Sequence, residues 1–271
     1  MIAVCPNPYR DIDLQLTKKI VELLKNNGKE VCICQIFTDI KPQLEDVRQD
    51  LEIAIIIGGD GTILSAVKSL DGCNVPILGI NLGTMGFMTS IGPENYEYVL
   101  KAINGDYRKD IRMMLDVELI RDGKSVYEGC CLNDAVIHGS GDTISIDVKT
   151  NGANIIRFDG DGVIISTPTG STGYSMSAGG PIVEPEARAI VLSPICAHTL
   201  RSRTYVLARE RLVSIQTSKL HDRKAYLSVD GNSVVNLING DLLKVRESEN
   251  VVTFVDFGIK SFYDTAFEKL S

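Results

Sequence analysis

The chain has 271 residues, 44% of them hydrophobic, and a net charge of −7, enough core-forming material for one large domain or two modest ones. The acidic balance argues against nucleic acid or an anionic membrane as partner, and no stretch approaches the roughly 18 apolar residues of a spanning helix. The N-terminus shows no signal pattern of basic, apolar and small residues, so the expectation is a soluble, cytoplasmic protein.

Ile2 to Cys5 (IAVC) reads as an apolar strand. DIDLQLTKKIVELLKNNG follows as an amphipathic helix, with Leu14, Ile20, Val21, Leu23 and Leu24 broadly on one face and Asn26-Asn27-Gly28 as its stop. EVCICQIF is a second strand, IAIIIG (Ile53 to Gly58) a third and VPILGIN a fourth, and Glu94 to Asn104 closes the region with a helix. Unbroken apolar strands separated by helices predict a parallel sheet covered on both faces. Seven cysteines (Cys5, Cys32, Cys34, Cys73, Cys130, Cys131, Cys196) lack paired CxxC spacing. They read as reduced core thiols and not as a metal or disulfide framework, which fits a reducing compartment.

After Gly105 the texture changes to short alternating runs: LDVELIRDGKSVYEG, DAVIHG, ISIDVKTNG, RFDGDGVIIST, RLVSIQT, KAYLSVDG and LLKVRES. Asp122-Gly123 and Asn151-Gly152 are hairpin-turn signals, with glycine supplying positive φ. The expected fold is therefore an α/β N-terminal domain with a parallel sheet (1–105), then a mostly antiparallel β C-terminal domain (106–250). An aromatic tail (251–271) is expected to dock back on the first domain.

Familiar nucleotide fingerprints are missing. No GxGxxG follows a strand, and Gly123-Lys124-Ser125 has Glu118 where a P-loop needs its first glycine. Three glycine-rich turns stand in their place. The first is Gly58-Gly59-Asp60-Gly61-Thr62, whose glycines allow main-chain approach to a ligand while the helix from Ile63 to Leu70 offers free N–H groups. As plain structure it would be a strand-to-helix turn with Asp60 as N-cap, but three glycines in four residues exceed that need. Asp60 also poses a problem, since a carboxylate should repel the phosphates that such turns cradle.

The second turn, INLGTMGFM (Ile80 to Met88), places Asn81, Gly83 and Gly86 in the same crevice if both strands lie in one parallel sheet, with Phe87 as an aromatic wall. Alone it also reads as a tight structural loop. The third, DGDGVIISTPTGSTGYSMSAGGP (Asp159 to Pro181), gathers Thr169, Ser171, Thr172, Tyr174, Ser175 and Ser177 within nine residues. That many hydroxyls with so little charge suits a pocket for a polar, ring-bearing ligand.

GGDGT, NLGTMGF, Leu132-Asn133-Asp134 and DGVIISTPTGSTGYSMSAGGP, in that order, resemble the NAD kinases. SPICAHTLRSR (Ser193 to Arg203) and SVDG (Ser228 to Gly231) are similar to later blocks of that family. GGDG alone is shared with diacylglycerol kinases, sphingosine kinases and phosphofructokinases. The chain differs in having Asn133-Asp134 where the family commonly has Asn-Glu, Gly173 where Ala is frequent, and Arg203-Thr204 where Arg-Pro is usual.

The resemblance implies an ATP-dependent phosphorylation of the adenosine ribose 2′-hydroxyl of NAD, with Mg²⁺ as the divalent metal. It answers the Asp60 problem: the carboxylate takes the hydroxyl proton and binds no phosphate. It further implies that Gly58, Gly59, Gly61, Thr62, Asn81, Gly83 and Phe87 line the first site. Asn133 would meet the adenine and Asp134 a ribose, while Thr169, Thr172, Gly173, Tyr174 and Ser177 line the pocket. Asp161 would reach the nicotinamide end from a neighbouring subunit of a homodimer or homotetramer. Asp230 is either a further site residue or the Asp of a hairpin turn before Gly231. His198 either touches ligand or packs in its loop, and His138 and His221 read as packed side chains. The alternatives are a lipid kinase sharing GGDG, which needs an apolar acyl cleft, and a non-catalytic dinucleotide sensor.

Overall fold

The computed structural model describes residues 1–37, 42–83, 86–141, 143–199, 202–218, 220 and 224–271. They form two compact units, Met1–Arg112 with Asn250–Ser271, and Met113–Glu249.

The first unit opens with the buried strand β1 (Ile2–Pro6) and helix α1 (Gln15–Asn26). The helix starts later than its apolar pattern predicts, because Ile12–Leu14 form a separate 3-10 turn. Leu14 has a left-handed backbone and offers no capping side chain. Asp11, 4% exposed, does that work from outside the helix, accepting from Leu16 N and Thr17 N at 3.0 Å each and from Thr17 Oγ1 at 2.6 Å. The chain continues through β2 (Val31–Ile33), α2 (Leu44–Val47), β3 (Ile53–Gly58), α3 (Asp60–Leu70), β4 (Ile77–Asn81) and α4 (Val99–Ile103). Strand β2 is shorter than EVCICQIF predicts. Among the described residues it is an edge strand paired only with β1, the register ends at Val4↔Ile33, and Gln35 turns away to bridge Gln43. The helix expected from Glu94 is in two pieces, since Pro93–Tyr98 is a 3-10 segment kinked at Asn95.

The second unit is built from β5 (Arg108–Arg121), β6 (Lys124–Cys131), β7 (Asp134–Gly139), β8 (Ile144–Thr150), β9 (Ala153–Gly160) and β10 (Gly162–Ser166). A loop then carries the short helix α5 (Tyr174–Ser177), followed by β11 (Ala189–Ile195), β12 (Tyr205–Ala208), β13 (Val213–Ser218), β14 (Ala225–Val229) and β15 (Asn232–Leu237). Strand β16 (Leu242–Asp256) and helix α6 (Phe262–Leu270) end the chain.

In the first unit the strands run β2-β1-β3-β4, joined by the far end of β16 through Phe254↔Ile77, and all these pairings are parallel. Val4, Ile55, Ile57, Leu78 and Ile80 pack with Ile20 and Leu24 of α1 and Val99 of α4. In the second unit two antiparallel arrays, β16-β13-β8-β9 and β12-β11-β10-β7-β14-β15, share one core that includes Ile146, Ile215, Ile137, Ile165, Leu192 and Leu227. Strand β13 shows the alternation that makes this possible, with Val213, Ile215 and Thr217 buried and the residues between them turned outward. The hairpins at Asp122-Gly123 and Asn151-Gly152 have positive φ at both positions, matching the right-handed strand twist. Among the described residues no helix is long and apolar enough to cross a membrane.

Asp11→Ala is expected to lower stability by about 1–2 kcal/mol, the usual range for losing an N-terminal cap. Urea unfolding followed by circular dichroism measures it, and an unchanged midpoint would show that α1 does not depend on this carboxylate.

Candidate functional site

The strand order 2-1-3-4 puts a topological switch between β1 and β3, and an open α/β sheet binds ligands outside the carboxyl ends of its strands at such a point. The loops that leave β1, β3 and β4 are tied together there. After β3, Gly59 caps α3 and Asp60 is the first helical residue, so Asp60 is not the cap itself. Its carboxylate instead reaches the loop after β4, where Oδ2 accepts from Phe87 N at 2.9 Å and Oδ1 from Met88 N at 3.1 Å. A Cβ on Gly86 would stand 1.9 Å from Asp60 Oδ1, so this position needs glycine for close approach. Thr62 is buried, and its hydroxyl accepts from Asn7 Nδ2 at 3.0 Å, which ties the loop after β1 to α3. Asn81 Nδ2 donates to Gly83 O at 2.6 Å, and Arg10 Nη1 donates to Leu82 O at 3.0 Å. Gly59 and Gly61 face nearly open space, so their backbone is free for close approach by a ligand. The Phe87 ring is engaged within the unit, 5.8 Å from the ring of Phe262 with the Lys269 ammonium 4.8 Å above it.

The second cluster lies within the other unit, at the ends of the inner strands of the six-stranded array. Strand β7 runs antiparallel to both β10 and β14, so its first residues meet the ends of both neighbours: Asp134 pairs with Ser166, and Ala135 with Ile165 and Val229. The loop after β10 folds back over this corner, where Thr167 N donates to Asn133 O at 2.9 Å and Thr167 Oγ1 to Leu132 O at 2.5 Å. Gly170 must lack a side chain, because a Cβ there would lie 2.2 Å from Asn133 O. The point a Cβ on Gly173 would take is 3.8 Å from Asn133 Nδ2, and Asn133 Oδ1 is buried without a hydrogen-bond partner among the described residues. A buried carbonyl oxygen in that condition points to a donor supplied from outside the chain.

Of the hydroxyls that crowd this loop, Ser171 and Ser175 are spent on the loop itself. Ser171 Oγ bonds Val183 N at 2.9 Å and Val183 O at 3.2 Å, and Ser175 Oγ lies 2.9 Å from Ser193 Oγ. Thr169 is buried, Thr172 donates to Thr169 O at 3.2 Å, and Ser177 is exposed. Tyr174 is 40% exposed, and its phenol is pushed up by burial and by the neighbouring Tyr226, Cys196, Asp161 and Asp134. Asp161 and Asp134 thus both lie within electrostatic reach of this phenol. Asp161 is fixed through its backbone, accepting from Gly139 N at 2.7 Å and donating to Ile195 O at 3.0 Å, and its carboxylate raises the Cys196 thiol by hydrogen bonding.

Several residues of these clusters have no sequence motif. Asn7 and Arg10 join the first through loop geometry alone. His138 is packed, as its lack of motif suggests, but against the second cluster: its ring stacks on Tyr226 and Tyr174 at 5.7 and 6.3 Å. Nδ1 lies 2.7 Å from Gly139 O, a carbonyl that can only accept, so Nδ1 carries hydrogen, and Nε2 lies 3.1 Å from the Tyr174 hydroxyl. Period-2 alternation along β7 was the signal that could have placed His138 beside the loop after β10. His198 is exposed in its loop, with its N–H donating to Asp159 O at 2.7 Å. Thr84, Met85, Leu200, Arg201 and His221 lie outside the described residues.

The chain matches the family model of the ATP-NAD kinase N-terminal domain over residues 2–107 and that of the ATP-NAD kinase C-terminal domain over residues 132–257. It is 36% identical over 274 aligned positions to the NAD kinase of Lachnoclostridium phytofermentans, covering 96% of this chain and 95% of that one. To the NAD kinase of Natranaerobius thermophilus it is 33% identical over 279 positions, covering 100% and 97%. Among solved structures it resembles yeast NADH kinase complexed with NADH, with a TM-score of 0.83 and 25% identity over 99% of this chain and 86% of that one. It also resembles an NAD kinase from Archaeoglobus fulgidus in complex with ATP, with a TM-score of 0.79 and 28% identity over 100% and 98%.

Asp134 is 6% exposed, and burial, with the charge of Asp230 second, raises its carboxyl from 3.8 to about 7. The folded chain thus holds this proton more tightly than the unfolded one. Its stabilising effect is complete below about pH 4 and is lost as pH rises to about 7. Asp134→Asn, neutral at every pH, should gain stability over the parent increasingly from about pH 4 to 7 and by a constant amount above. Urea unfolding across that range tests it; a pH-independent difference would contradict it.

Proposed function

The chain belongs to the NAD kinase family, and we propose that it transfers the γ-phosphoryl group of ATP to the 2′-hydroxyl of the adenosine ribose of NAD, giving NADP, with Asp60 as general base. Family membership carries the phosphorylation of NAD itself. The ATP bound by the archaeal relative and the NADH bound by the yeast relative support the two nucleotides as ligands.

The observation that carries the assignment of the base is the Asp60 carboxylate, held by two backbone N–H groups at the carboxyl end of a parallel sheet. Each oxygen keeps a second lone pair, and a hydroxyl donating to it would be oriented for in-line attack and would lose its proton there. The open backbone at Gly59 and Gly61 supports close approach of phosphate oxygens, whose charge would be met by N–H groups opening α3. Among the described residues no group of three or more His, Cys, Asp and Glu side chains is arranged to hold a metal ion. We assign Mg²⁺ to the phosphate oxygens of the donor, where it would neutralise charge.

Asn133 and Asp134 are assigned to the adenosine, Asn133 Oδ1 as an acceptor at the base and Asp134 at the ribose. Thr169, Thr172, Gly173, Tyr174 and Ser177 are assigned to the pocket around them. Asp161 is assigned to the nicotinamide end of a site completed by a second copy, which closed symmetry would repeat at every subunit.

Coupled detection of NADP from NAD and ATP tests the reading. Asp60→Asn should keep NAD binding and lose kcat by at least about 10²-fold, the lower range for removing a general base. Tyr174→Ala and Asn133→Ala should chiefly raise the KM for NAD. Near-normal kcat in Asp60→Asn would place the base elsewhere, and an effect of the other two confined to the KM for ATP would exchange the two nucleotide sites.

The subunit assignment has its own test. Sedimentation at assay concentration should give a mass that is a multiple of 29.6 kDa, with a tetramer expected, and a fully active monomer would exclude a shared site.

A further inference from the structure

We propose that Asp230 is a positioning residue of the NAD site, whose carboxylate fixes the backbone of Leu132, Asn133 and Asp134 and so aims the side chains of Asn133 and Asp134 at the substrate. The proposal rests on the assignment of those two residues to the adenosine.

Asp230 and Gly231 form the turn between β14 and β15, with φ of 46° and 76°. The turn sits beside the start of β7, because β14 pairs with β7 as far as Val229↔Ala135. From there Oδ1 accepts from Asn133 N at 2.7 Å and from Asp134 N at 3.1 Å, while Oδ2 accepts from Leu132 N at 2.9 Å. The Asp230 N–H donates back to Asp134 O at 3.0 Å. Three successive backbone donors thus converge on one carboxylate, and bonds of this kind to an ionised group are short and directional. On the other side of the segment the loop after β10 holds Leu132 O and Asn133 O through Thr167. The backbone is clamped from two sides, and in that clamp the Asn133 side chain keeps a buried, unpartnered Oδ1. A structural turn needs none of these side-chain bonds.

The same carboxylate acts on Asp134 through its charge, adding to the burial that raises the Asp134 carboxyl. The other titratable groups around the pair are the thiols of Cys130 and Cys131 and the phenols of Tyr127 and Tyr174. Cys131, Tyr127 and Tyr174 are all pushed up, chiefly by burial, so they carry no charge near neutrality. Asp230 is therefore the charged neighbour that adds to burial in raising the pH at which Asp134 ionises.

Two substitutions separate the carboxylate from the turn. Asp230→Asn keeps a side chain that tolerates positive φ but loses one acceptor oxygen and the charge. Asp230→Gly suits a φ of 46° at least as well and removes all three acceptor contacts. Both are compared with the parent and with Asn133→Ala by steady-state kinetics for NAD between about pH 5.5 and 8.5.

Asp230→Gly should raise the KM for NAD by at least about tenfold with kcat changed much less. Asp230→Asn should do so more weakly, and should move the midpoint of the KM–pH profile to lower pH, because Asp134 then ionises more easily. A KM and a pH midpoint both equal to the parent's in the two Asp230 variants, with KM raised in Asn133→Ala, would overturn the proposal alone. An unchanged KM in Asn133→Ala would overturn the assignment of the site and the proposal with it. If neither Asp230 variant folds, the carboxylate is structural at large and the proposal fails as well, since Gly preserves the turn.

Discussion

Two hydrogen bonds from the backbone of Phe87 and Met88 to the carboxylate of Asp60 constrain everything around the first cluster. They require the loop after β4 to pass within contact distance of the first turn of α3, which in turn requires a residue without a side chain at position 86. A similar demand operates at Gly58, where a Cβ would stand 2.3 Å from Thr62 Oγ1. Thr62 holds Asn7, and Asn7 holds the loop after β1 through its carbonyl bonds to Arg10 N and Asp11 N. Asp11 then caps α1. One chain of polar contacts thus runs from Thr62, in the first turn of the helix that opens with Asp60, to the first helix.

The second cluster obeys a different economy. Placing Asp134 and Asp230 close together in a buried corner is unfavourable, as the raised Asp134 carboxyl records. Three N–H groups offset the charge of Asp230, whereas Asp134 has burial and a like charge against it. Natural sites often keep groups that weaken the resting fold because the bound state uses them. The unpartnered oxygen of Asn133 fits the same pattern.

The sequence made visible what depends on local chemistry. Apolar runs broken by helices announced the parallel sheet, Asp122-Gly123 and Asn151-Gly152 announced hairpins, and glycine clusters marked the loops where backbone approaches closely. What it concealed depends on who the neighbours are. Asp230 meets Leu132 across 98 positions of chain, and Arg10 meets Leu82 across 72, so no window of sequence contains either pair. The hydroxyl-rich loop misleads in a related way, because composition cannot tell Ser171 and Ser175, turned inward to hold Val183 and Ser193, from hydroxyls free to face a ligand. The shortness of β2 was equally hidden, since β propensity says nothing of where an edge strand turns away from its partner.

The first unit is discontinuous in the chain: its sheet takes a strand from the far end of β16, where Phe254 pairs with Ile77, and its residues resume at Asn250. The second unit, Met113–Glu249, is one uninterrupted segment. A ribosome delivers residues in order, and domains fold as units as they emerge. The middle of the chain can therefore reach its native arrangement while the first unit still lacks a strand. Until β16 arrives, the edge of β4 stays open, which makes the interval before Phe254 emerges one in which a nascent chain is exposed to misassociation.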